Sequence, residues 1–125
     1  MSVYIHVEQQ LVFSTSKSIR AVITFDKLCL DNGTLIQKFL ADNGSFKAKD
    51  FVNHTRNKNQ RIQYCGVNAH QQNSITKHNI RTVSDMSRAI MLHASLWCKN
   101  RIDSSLWSMA VDYATYVFNH LQSHN

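Results

Sequence analysis

Hydrophobic and polar positions along the chain change period several times, and each change predicts an element. Tyr4 to Leu11 alternates, with Tyr4, His6 and Glu8 on one side and Ile5 and Val7 on the other, which predicts a strand. Ile19, Val22, Ile23, Phe25, Cys29 and Leu30 then recur at helical spacing. They predict a helix from about Lys17 to Asp31, capped by Ser14 or Ser16 and ended by Asn32-Gly33. Thr34 to Ala41 reads as a buried strand, and Ser45 to Asn57 as a helix with Phe46, Phe51 and Val52 inward and Lys47 and Lys49 outward.

Arg61 to Val67 reads as a third strand, built on Ile62, Tyr64 and Val67, and Asn68 to Asn73 as a polar loop. A long helix follows from about Ile75 to Trp97, with Ile80, Val83, Ser87, Ile90, Ala94 and Trp97 as its core stripe. Ser104 or Ser105 caps a last helix carrying Leu106, Met109, Ala110, Tyr113, Val117 and Leu121. Alternating strands and helices ending in a helix pair predict an α/β fold.

Composition narrows this only slightly. At 125 residues, 43% hydrophobic and 18% charged, the chain reads as one globular domain spanning residues 1–125, with no membrane span. Met1 to His6 lacks the basic and apolar regions of a secretory signal. The odd, isolated Cys29, Cys65 and Cys98 suit buried thiols in a reducing, intracellular compartment. These cysteines and the seven histidines lack the clustering of a zinc site. A formal charge of +6, with Lys47, Lys49, Arg56, Lys58, Arg61, Lys77 and Arg81 in the middle of the chain, points to a polyanionic partner.

Two segments carry a more specific signal. The first is Leu40-Ala41-Asp42-Asn43-Gly44-Ser45-Phe46, and the second is Tyr64-Cys65-Gly66-Val67-Asn68-Ala69-His70-Gln71-Gln72-Asn73-Ser74-Ile75-Thr76-Lys77-His78. In order, with Arg61 to Gly66 between, they resemble the second and third active-site motifs of the integrase core of copia-type retrotransposons. The resemblance runs from about Tyr4 to His120. It implies a ribonuclease H-like mixed sheet flanked by helices, and a site where three carboxylates hold two magnesium or manganese ions for DNA strand transfer.

Asp42 stands at the second carboxylate. The glutamate of the third motif aligns without gaps on Lys77, and an ammonium ligates no cation. The first aspartate would lie on a strand preceding Tyr4, so the resemblance implies a sheet lacking its first central strand. Such a sheet must close with the Tyr4–Leu11 strand sliding over, or stay split. The expected protein is therefore a pseudoenzyme without a resident metal or other cofactor, with Asp42 as the remnant carboxylate. By the same resemblance Asn43, Lys47, His70, Gln72, Asn73 and Arg81 face nucleic acid, bound weakly and without sequence preference. Nuclear location would accompany that function. The alternative is a structural or self-association module, possible as a homodimer, using the aromatics of the C-terminal helices, Trp97, Trp107, Tyr113, Tyr116 and Phe118.

Overall fold

A computed structural model describes residues 4–41, 44–66 and 74–121. Helix α1 spans Thr15–Asp31, strand β1 Lys38–Ala41, helix α2 Lys49–Asn57, strand β2 Arg61–Tyr64, helix α3 Ser74–Trp97 and helix α4 Trp107–Leu121. Short 3-10 turns at Ser45–Lys47 and Ser104–Leu106 lead into α2 and α4. The expected ribonuclease H-like mixed sheet does not form: the described residues are mostly helical and hold a single sheet of two parallel strands.

Tyr4 to Gln10 explains part of that correction. The segment is irregular, not a strand. Its period of two survives, since Ile5 and Val7 are half-buried while Tyr4, His6 and Glu8 are exposed. Its backbone finds a partner in α4 rather than in a sheet. Asn119 Oδ1 accepts the Ile5 N–H at 2.9 Å, and Asn119 Nδ2 donates to the Ile5 carbonyl at 2.7 Å. Gln9 Nε2 donates to Asp112 Oδ1 and to the Ser108 carbonyl.

The chain divides into two compact units, residues 10–74 and residues 1–9 with 75–125. In the first, Ser14 caps α1 by accepting from Lys17 N–H. Gly33, at φ +77°, ends that helix, with Gly33 N–H bonding Leu30 O and Thr34 N–H bonding Cys29 O. Asn59, at φ +56°, ends α2 in the same way, through Asn59 N–H to Arg56 O and Gln60 N–H to Thr55 O.

Strands β1 and β2 run in register, Lys38 beside Arg61 and Ala41 beside Tyr64. One sheet face packs against α2 and the 3-10 turn before it. Phe51 of α2 is 1% exposed and meets Phe39 of β1 and Phe46 edge-on, with ring centroids 5.5 and 5.4 Å apart. Tyr64 Oη donates to the Phe46 carbonyl at 2.7 Å. The other face is open and carries Lys38, Leu40, Arg61 and Gln63, all exposed.

In the second unit the expected stripe of α3 holds through its middle, with Ile90 and Ala94 half-buried, and fails at its ends. Val83 and Ser87 of α3 are buried, but Ile80 and Trp97, expected in the core, are exposed. Ala110, Ala114 and Thr115 form the buried line of α4, so Met109, Tyr113 and Leu121 face solvent. Mostly small side chains hold the fully buried positions of both helices, while Ile90, Met91, Val117 and Phe118 are half-buried.

Candidate nucleic-acid interface

Of the residues expected at the site, Asp42, Asn43, His70, Gln72 and Asn73 lie outside the described residues. Lys47 is exposed at the end of the 3-10 turn, its Nζ 5.7 Å from the Tyr64 ring centroid. Lys77 and Arg81 sit four residues apart on α3 and are both exposed. Arg81 Nε lies 3.8 Å from Asp85 Oδ2, and Arg88 pairs with the other oxygen of the same carboxylate at 3.3 Å. Lys47 belongs to the first unit, whereas Lys77 and Arg81 belong to the second.

Charge divides unevenly between the units. Residues 10–74 contain nine Lys and Arg against four Asp, while the rest of the chain has five against four Asp and Glu. All nine of those cations are exposed. Two of them, Lys38 and Arg61, are direct cross-strand neighbours on the open sheet face. Like charges opposite one another destabilise a strand pair. An anion lying along that face removes the repulsion.

One acid of this unit is withdrawn from the surface. Asp26 lies on the core stripe of α1 and is 4% exposed. Its Oδ2 accepts from Lys58 Nζ at 2.9 Å and lies 3.3 Å from His54 Nε2, and its Oδ1 accepts from Gln60 Nε2 at 2.9 Å. Gln60 Nε2 also donates to the Ile36 carbonyl, while Gln60 Oε1 is buried with no hydrogen-bond partner among the described residues. Burial pushes the Asp26 pKa up, but hydrogen bonds from Lys58, Gln60 and His54 and the charge of Lys58 more than offset it. The carboxyl is thereby held below its ordinary 3.8.

Sequence reasoning missed this cluster. Its signal was an acid placed three and four residues from Ile23, Val22, Cys29 and Leu30, on the face meant for the core. The cluster clamps α1 to α2 and to the residues that follow α2. Burial and the Asp26 charge push the pKa of the neighbouring Cys29 thiol up, away from the nucleophilic thiolate.

The metal site that the integrase resemblance implies includes Asp42, which lies outside the described residues. Among them no three His, Cys, Asp or Glu side chains converge to hold an ion, and the aligned glutamate position is the cation Lys77. No helix among the described residues is long and apolar enough to cross a membrane. No family model, curated protein or solved structure matches the chain.

Proposed function

We propose that the chain is a degenerate relative of the copia-type integrase core, catalytically inactive, that binds nucleic acid weakly and without sequence preference through residues 10–74. The observation that carries the binding reading is the charge asymmetry: nine exposed cations against four Asp, with Lys38 and Arg61 side by side on an uncovered sheet face. Contacts of this kind read phosphate rather than base edges, so they give affinity without specificity. Inactivity rests on Lys77, which places positive charge where the aligned motif presents a metal-binding carboxylate.

Fluorescence anisotropy with two duplexes of unrelated sequence tests the binding. Equal, low affinities at low salt are expected, and a strong preference for one duplex contradicts the reading. In the same samples, a processed DNA end with magnesium or manganese is expected to give no joined product above the level of an Asp42→Asn control.

A second reading is self-association through the C-terminal helices. Leu92, Leu96 and Trp97 of α3 are 69, 70 and 79% exposed, and no Asp, Glu, Lys or Arg interrupts α3 from Ala89 to Trp97. Sedimentation velocity across a concentration series tests it. A single monomer peak at every concentration removes that reading.

A further inference from the structure

The two-stranded sheet leaves backbone groups unspent on the far side of β2. Arg61 N–H bonds the Gln37 carbonyl and Cys65 N–H bonds the Ala41 carbonyl, so Arg61, Gln63 and Cys65 turn their backbones toward β1. Ile62 and Tyr64, the alternate residues, then point N–H and C=O away from the ladder. No other strand among the described residues pairs with them. Such an edge is a template for one more strand.

What flanks the edge defines the strand that fits. On one side lies a groove of about 280 Å³ along the seam of α2 and β2, lined by Val52, Thr55, Arg56, Gln60, Ile62 and Tyr64. On the other side is the open sheet face with Arg61. Because strand side chains alternate, an added strand puts one set beside Ile62 and Tyr64 and the other beside Arg61. The first environment is apolar. The second carries exposed Arg61 and Gln63 on β2, with Lys38 of β1 beside Arg61.

We propose that the free edge of β2 takes up an extended peptide segment of a partner protein in which apolar and acidic residues alternate, the apolar set entering the α2–β2 groove and the acidic set facing Arg61. A second copy of this chain fits less well, since its own β2 would bring another Arg61, and its groove another Arg56, to the same seam. This site uses backbone pairing and does not rest on the nucleic-acid reading.

The test is titration of the full chain with a short acetylated peptide alternating valine and glutamate, followed by amide NMR. The expected result is shifts at the Ile62 and Tyr64 amides. N-methylation of the alternate peptide amides that face β2 should cost about tenfold or more in affinity, because it deletes backbone donors. Methylating the other set should cost little. Arg61→Glu should reverse the preference toward a valine–lysine peptide. The proposal is overturned by absence of binding or by equal binding of both methylated peptides. Shifts that appear on raising protein concentration alone also overturn it, by assigning the edge to a second copy.

Discussion

Asn119 offers Ile5 the pair of hydrogen bonds that a neighbouring strand would supply, accepting its N–H at 2.9 Å and donating to its carbonyl at 2.7 Å. One side chain on α4 thus satisfies an extended segment that carries the alternation of a strand and forms none. The contact spans 114 residues of sequence, so it ties the start of the chain to its last helix.

Asn119→Ala removes both bonds and leaves the partly buried Ile5 backbone without them, a cost of about 1 to 3 kcal/mol. The Ile5 amide should then exchange with solvent much faster than in the parent chain. Asn119→Asp keeps the acceptor and loses the donor, so it should fall between the two. Equal exchange in all three chains would show that the side chain does not hold the segment.

This contact also marks where sequence reasoning stops. Period two says that a segment is extended with one side covered, and Tyr4 to Val7 obeys it; nothing in the period says whether the cover is a strand or a helix. Helix existence was legible from Ser14, Asn32 and Gly33 at the ends of α1, because caps act locally. The strands were legible only in part, β1 shrinking from Thr34–Ala41 to Lys38–Ala41 and β2 from Arg61–Val67 to Arg61–Tyr64. In α4 the core passes through Ala110, which lay on the expected stripe, and through Ala114 and Thr115, which did not, while the stripe's Met109, Tyr113 and Leu121 are exposed. At the site, Lys47, Lys77 and Arg81 were found exposed as polar surface residues should be, whereas Asp26 and its three partners come from separated segments that only folding unites.

Asp26 should make residues 10–74 acid-sensitive. Its folded pKa is depressed below 3.8, so its contribution is present above that value and is lost as pH falls through the folded pKa. Comparing urea midpoints of the parent chain and Asp26→Asn across pH checks this. The gap between them should be constant from neutral pH down to about 4.5 and close below about 3.8. A gap independent of pH throughout would mean that the carboxylate charge does not stabilise the clamp.

Lys77 stands in the first turn of α3, which contains no acidic residue. A cation is unfavourable near the positive end of a helix, so Lys77→Glu should stabilise the chain by about 0.3 to 1 kcal/mol at low ionic strength, with the gain shrinking as salt is added. Thermal unfolding at two salt concentrations measures it. A destabilised variant would mean that the ammonium's own contacts outweigh the helix field.

The central claim is that phosphate contacts made by residues 10–74 carry the chain's affinity for nucleic acid. Its most direct measurement is the dependence of duplex affinity on salt for the parent chain, for Lys38→Glu and Arg61→Glu on the open sheet face, and for Lys99→Glu in the other unit. Log affinity should fall linearly with log salt, and each sheet-face variant should flatten the slope by about one, as expected for a lost phosphate contact. Lys99→Glu should leave the slope unchanged. No binding at low salt, or an equal loss of slope in Lys99→Glu, would contradict the account.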